Sequence, residues 1–273
     1  AVTFQIKQLE EHFNTRLFDR GHGKITLTPA GEMVLEYAER ILNLSNELEV
    51  RLAEMTRQIG GPLLVGASTT IAEFLLPRVL GEFKQKYPSV KPRLVVANSE
   101  TIETRVAEHT LDIGLIESPS HLPNLQCESC CDDELQVICS PKSPLARYKE
   151  LKPEQLVEHP YISREQGSGT REFADNYFRE SGIAPDTLNA EMELGSPEAI
   201  KGVVESGVGY AIVSRASVDK ERELGLLVAI PLKTRLIRTL TMVFPKEKFR
   251  SRLVTTFVEF AIKSLPVLAA PHG

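Results

Sequence analysis

From Glu32 to Ile59 the chain runs without proline or glycine, and Gly60-Gly61-Pro62 then ends the run abruptly. A single helix of that length is marginal in water unless one face is packed, so whatever covers it constrains everything on either side. Val34, Ala38, Ile41, Ser45, Leu48, Leu52, Met55 and Ile59 recur at alternating spacings of four and three, which is a heptad seam. Glu39, Arg40, Glu47, Glu49, Arg51, Glu54 and Arg57 flank it. The stripe could pack on its own chain. Its isolation between two unlike regions favours a partner helix, and Ile41, Leu48, Leu52 and Met55 are the expected dimerisation residues of a homodimer or homotetramer.

Upstream, Val2, Ile6, Leu9 and Phe13 fall on one helical stripe, expected to be buried, while Thr3, Phe4, Lys7 and Gln8 lie off it. Leu17-Phe18-Asp19-Arg20 and Ile25-Thr26-Leu27 bracket Gly21-His22-Gly23-Lys24, a glycine-flanked basic tip that reads as a β-hairpin. Thr28-Pro29 then supplies an N-cap and a proline at the first helical position. Helix, basic hairpin and long helix is the order of a winged helix-turn-helix with its linker. The first helix begins with no start signal ahead of it, so further chain is expected to precede it in a full-length protein that binds double-stranded DNA. Residues 1–31 carry four basic against three acidic side chains. Specific affinity must therefore come from geometry and base contacts, doubled by dimerisation. The candidate DNA-binding residues are Thr3, Phe4, Lys7, His22 and Lys24.

Beyond Pro62 strands and helices alternate. Leu63 to Ala67 reads as a strand, Ile71 to Lys86 as a helix, Leu94 to Ala97 as a strand, Glu100 to His109 as a helix and Asp112 to Ile116 as a strand, which implies a parallel sheet. After Leu135 to Cys139, Pro141 and Pro144 suggest a hinge. A second αβ series follows, and a strand from Leu236 to Phe244 with a helix from Leu253 to Leu265 is expected to return to the first lobe. Cys127 and Cys130 have C-x-x-C spacing, but no second pair follows at zinc-finger distance, so reduced thiols and no metal site are expected.

Ala1 to Glu10 resembles the recognition helix of LysR-type transcriptional regulators, A-V-S-x-x-I-x-x-L-E. The family's L-F-x-R and L-T-x-x-G follow as Leu17-Phe18-Asp19-Arg20 and Leu27-Thr28-Pro29-Ala30-Gly31. The resemblance covers nearly the whole chain, and the segments from Gly167 to Arg171 and from Ser196 to Ile200 look most like the branch that governs sulfur assimilation or carbon fixation. It implies an α/β fold class: a partial winged helix-turn-helix (residues 1–31) and a linker helix (32–60), then a two-lobed effector domain like the type II periplasmic-binding-protein fold. Lobe I is expected over 61–138 with 237–273 returning to it, and lobe II over 139–236.

Ligands of open α/β sheets bind beyond the carboxyl ends of the strands, where helix N-termini present unpaired N–H groups. Ser68, Thr69, Ser99, Thr101, Gly167, Ser168, Gly169, Thr170 and Ser196 sit at such junctions and are the candidate effector-binding residues, with anion preference set by helix N-termini. Glu100 at the mouth opposes an anion unless it turns away or pairs with Arg171. No G-x-S-x-G, H-E-x-x-H or Walker loop is present, and the six histidines are scattered, so no catalytic role and no cofactor is expected. No apolar run approaches a membrane span, and a net charge of −5 argues against indiscriminate nucleic-acid coating. The expected function is that of a bacterial, cytoplasmic, DNA-binding transcriptional regulator responding to a small polar or anionic effector. The alternative is a periplasmic-type solute-binding protein, which would need neither a recognition helix nor a heptad linker.

Overall fold

The computed structural model describes residues 2–19, 25–55, 59–246 and 250–269. Helix α1 (Val2–His12) ends at Asn14, whose φ of 48° places it in the left-handed region. The Glu10 carboxylate then accepts the amides of Leu17 (2.8 Å) and Phe18 (3.2 Å), fixing the start of strand β1 (Phe18–Asp19), which pairs antiparallel with β2 (Thr26–Leu27). The hairpin tip with His22 and Lys24 lies outside the described residues. Thr28 Oγ accepts from Gly31 N at 3.0 Å and donates to Arg16 O at 2.7 Å, so one side chain caps helix α2 (Pro29–Met55) and ties it to the turn before β1. A Cβ on Gly31 would stand 2.0 Å from the Leu17 carbonyl oxygen. Only glycine lets the helix cross there.

The stripe on α1 is less covered than its spacing predicts. Ile6 is half-buried, but Leu9 and Phe13 are exposed, because one short hairpin and the first turns of α2 offer too little surface to bury the whole face. On α2 the predicted seam is bare within this chain: Ile41, Leu48 and Leu52 are 53–65% exposed. Ile59, by contrast, packs against the core of the domain that follows.

That domain has one continuous sheet in the order β4-β3-β5-β11-β6-β9-β7-β8, with β10 also on β6. Strands β3 (Gly61–Ser68), β4 (Val90–Ala97) and β5 (Ile113–Ile116) run parallel in the first lobe. β7 (Tyr161–Arg164), β8 (Ala190–Leu194) and β9 (Tyr210–Ser214) run parallel in the second. The lobes are joined by two long antiparallel strands, β6 (Leu125–Cys139) and β11 (Leu236–Pro245). β6 pairs with β11 as far as Leu135, and from there to Cys139 with β9 and in part with β10 (Val228–Ile230). The strand itself is therefore the passage, and Pro141 and Pro144 lie beyond it rather than forming it.

Helices cover both faces of each half. α3 (Leu76–Lys86) and α8 (Arg252–Ala269) enclose a core with Phe83 and Phe257 in edge-to-face contact at 5.1 Å, while α4 (Ser99–Ala107) covers the other face through Ile102 and Val106. In the second lobe α5 (Gly169–Glu180) and α6 (Pro197–Glu205) do the same, with the short α7 (Asp219–Glu223) beside α6. The segment predicted as one helix from Ile71 starts as a π-helical turn over Ile71–Leu75, with Leu76 N bonded to Ile71 O. Pro77 explains the wider turn, since it has no N–H to continue an α-helical ladder.

Candidate effector site between the lobes

The carboxyl ends of β3, β4 and β5 in one lobe and of β7 and β8 in the other face a common cleft. Backbone and side chains of the two rims touch: Asn98 Nδ2 donates to Gln166 O at 3.2 Å and Glu100 N to Gly167 O at 3.4 Å. Gly167 has φ +81°, and a Cβ there would meet Glu100 Oε2 at 2.6 Å. A Cβ on Gly169 would meet Glu117 Cβ at 2.8 Å. Both glycines thus serve the approach of one lobe to the other. A second contact lies at α6, where the buried Lys201 ammonium sits 4.8 Å from the Phe74 ring of the π turn while pairing with Glu198 and Glu221 at 2.8 Å. Burial, helped by the charge of Glu198, pushes up the Glu73 carboxyl on the same turn.

The floor of the cleft is a buried charge network. Glu117, which follows β5 directly, accepts from Ser68 Oγ at 2.7 Å on one oxygen. Its other oxygen accepts from Thr170 Oγ at 2.8 Å and Arg238 Nη1 at 2.7 Å. Arg238, on β11, is 1% exposed; it also donates from Nη1 to Thr170 Oγ at 2.9 Å and from Nε to Asp133 Oδ2 at 2.9 Å. Its Nη2 lies 2.7 Å from Asp133 Oδ2 but off the hydrogen-bond direction, so there it contributes charge rather than a second bond. Ser214 Oγ, at the end of β9, donates to Asp133 Oδ1 at 2.6 Å. Burial works to raise the Glu117 carboxyl, but Arg238, with Ser68, Arg164 and Thr170, outweighs it and holds it at about 2. Burial pushes Asp133 up in spite of Arg238.

Of the predicted effector residues, Ser68, Thr69, Ser99, Ser168, Gly169 and Thr170 are buried in or beside this cleft. The hydroxyls of Ser68 and Thr170 are already engaged by Glu117. Ser99 is not a cap: Asn98 caps α4 by accepting from Thr101 N at 2.9 Å, and Ser99 Oγ accepts from Glu117 N at 3.3 Å. Ser168 Oγ is buried with no hydrogen-bond partner. Thr101 is exposed on α4 and Ser196 is half-buried at the start of α6, making no side-chain cap bond. Arg171 does not reach Glu100; it donates to Glu193 and to Arg164 O at 3.1 Å, and lines an outer groove between α5 and β8 with Asp175, Arg179 and Glu191.

Besides the helix N-termini expected to set anion preference, the cleft holds two buried arginines, Arg238 and Arg164. Arg164 Nε pairs with Glu165 at 2.8 Å and its Nη2 stands 3.5 Å from Thr69 Oγ. Glu117, Asp133, Arg238 and Ser214 were not singled out in the sequence. One signal was there: Arg238 takes one of the alternate positions that Leu236, Leu240 and Met242 otherwise fill with apolar side chains, and a charge at such a position must be paired inside.

At the DNA-facing end, Phe4 is 64% exposed and Lys7 is exposed beside Glu11, 3.7 Å away. The side chain of Thr3 lies outside the described residues, as does that of Met55 on α2. Among the described residues no group of His, Cys, Asp or Glu could hold a metal ion, and no helix is long and apolar enough to cross a membrane. The four cysteines are free thiols, and burial pushes Cys130 and Cys131 up to about 12.

Residues 56–266 match the LysR substrate binding domain family, and residues 1–32 match the bacterial regulatory helix-turn-helix proteins of the lysR family. A probable RuBisCO transcriptional regulator of Porphyra purpurea is 36% identical over 100% of this chain and 87% of its own length. The Synechocystis PCC6803 CcmR regulatory domain, solved in complex with 2-PG, is 29% identical with a TM-score of 0.69, covering 75% of this chain and 97% of that one. CbnR, a LysR family transcriptional regulator, shares the fold at 22% identity and a TM-score of 0.73, over 97% of this chain and 89% of CbnR.

Proposed function

The chain belongs to the LysR family of transcriptional regulators, in its carbon-fixation branch, and from that premise we propose that its cleft takes a small anionic effector of the 2-PG type. Ser168 Oγ carries the reading. A buried hydroxyl at a helix N-terminus with no partner in its own chain costs free energy unless something else binds it. Arg164, Thr69 and Ser99, buried in the same cleft, and the first amides of α5 supply further donors, and they suit a phosphate or carboxylate. Calorimetry of the chain with 2-PG, phosphate, sulfate and neutral polar compounds tests this. Micromolar binding of an anion is expected; binding of neutral compounds alone contradicts it.

The helix-turn-helix is the DNA-binding part, with Thr3, Phe4 and Lys7 assigned to the major groove, Lys24 to a phosphate and His22 beside it as a further DNA-binding residue. The apolar face of α2 left bare by its own chain is covered by a second copy, through Ile41, Leu48, Leu52 and Met55. Two copies joined in this way read a site with dyad symmetry, its half-sites one or more turns (roughly 34 Å each) apart. Fluorescence anisotropy with dyad-symmetric and single half-site duplexes checks this in the full-length protein. Equal affinity for the two would contradict it.

A further inference from the structure

We propose that the Glu117 carboxylate is an internal anion seated where the effector's own anionic group binds, so that an effector enters by taking Arg238, Thr170 and Ser68 from it. The inference rests on the cleft being an anion site. Three observations lead to it. First, the donors that converge on Glu117 come from separate parts of the fold: Ser68 from the end of β3, Thr170 from the first turn of α5 in the opposite lobe, and Arg238 from the connecting strand β11. That is the arrangement expected around a ligand held between lobes: two hydroxyls, a guanidinium and a helix N-terminus.

Second, Arg238 faces two buried carboxylates, Glu117 and Asp133, so that one guanidinium is shared between them. Asp133 lies within the connecting strand β6, receives Nε and the charge of Nη2, and has Ser214 besides; Arg238 keeps a counterion if Glu117 leaves. Glu117 stands at the end of β5, where the chain turns into Ser118-Pro119-Ser120, and so it is the carboxylate placed to move. Third, the unpartnered Ser168 Oγ lies two residues from Thr170 on the same helix entry, ready to add a bond that Glu117 does not use. Exchange of Glu117 for a ligand replaces a contact inside the protein by one through the effector. The lobes stay joined, but the loop after β5 is released.

The test is calorimetry with 2-PG and with sulfate on wild type and Glu117→Gln, each checked for cooperative thermal unfolding. Replacing a charged competitor by a neutral one weakens its hold on the donors by about 1.4 kcal/mol, which is about tenfold in affinity, so the glutamine variant should bind either anion about tenfold tighter. Equal or weaker binding by the folded variant, with clear binding by wild type, overturns the inference and leaves the anion site standing. Binding of anions by neither protein overturns both. If the glutamine variant does not fold, a crystal of the wild-type chain with sulfate decides. Sulfate within hydrogen-bond distance of Arg238 and Thr170, with Glu117 withdrawn, is the expected result, and an intact Glu117–Arg238 pair with sulfate elsewhere overturns the inference.

Discussion

The two ends of this molecule solve recognition in opposite ways. The winged end presents side chains that its own chain leaves uncovered: Phe4 and Lys7 on α1, and Ile41, Leu48 and Leu52 on α2. The cleft instead buries its charges and pairs them, with Glu117, Arg238 and Asp133 almost wholly removed from water. Exposed groups can change without disturbing the fold, so they set what is bound. Buried paired charges cannot change singly, because the partner left behind is then a bare charge in a poor dielectric. Effects on stability should therefore concentrate in the cleft, and effects on partners at the winged end.

The contrast breaks first at Arg238. Arg238→Ala leaves Glu117 and Asp133 facing each other unpaired, and should cost about 3–5 kcal/mol of stability, read as a fall in melting temperature. A loss under about 1 kcal/mol would mean that water or relaxation satisfies these carboxylates. Leu52→Asp should do the reverse. Placed in a helix pair, the charge should weaken association by about 3 kcal/mol, roughly a hundredfold, with the lobes melting as before. Sedimentation at micromolar concentration checks it, and an undisturbed dimer would move the interface off α2.

Acid sharpens the comparison next. Glu117 titrates at about 2 in the folded chain against an ordinary 4.5, so its stabilisation is complete above about pH 4.5 and is lost as pH falls toward 2. Between those values the melting temperature of wild type should fall more steeply than that of Glu117→Gln. Parallel curves would contradict the pairing. Smaller still is the effect at α1: Phe4→Ala should leave stability within about 0.5 kcal/mol and change preference among duplex sequences by about 1 kcal/mol. Unchanged preference in competition binding removes Phe4 from the reading surface.

The same contrast decides what could be read from the sequence. Local signals gave the order of elements at the winged end, though not the cover of the α1 stripe: Thr28-Pro29 caps α2 as expected, and Gly31 proves to be the point where helix and strand cross. Strand and helix order in the lobes was legible for the same reason, since burial of an apolar face repeats at a fixed period. The hydroxyls at strand ends were legible as a group, but not their partners. Ser68 and Glu117 are 49 residues apart and Glu117 and Arg238 are 121 apart, so only the closed sheet brings them together. The crossing between lobes was not legible, because prolines mark breaks in a chain, whereas the chain crosses here in one strand that changes partner at Leu135.

The central claim is that the cleft takes an anion at the entry to α5, where Ser168 Oγ has no hydrogen-bond partner in its own chain, and Ser168 tests it most directly. Its Oγ has no partner to lose, so Ser168→Ala should leave the melting temperature without ligand unchanged or slightly raised. Calorimetric affinity for 2-PG should then fall by about five- to thirtyfold, the equivalent of about 1–2 kcal/mol for one hydrogen bond to an anion. Affinity equal to wild type would show that the anion does not sit at the entry to α5, and would contradict the account.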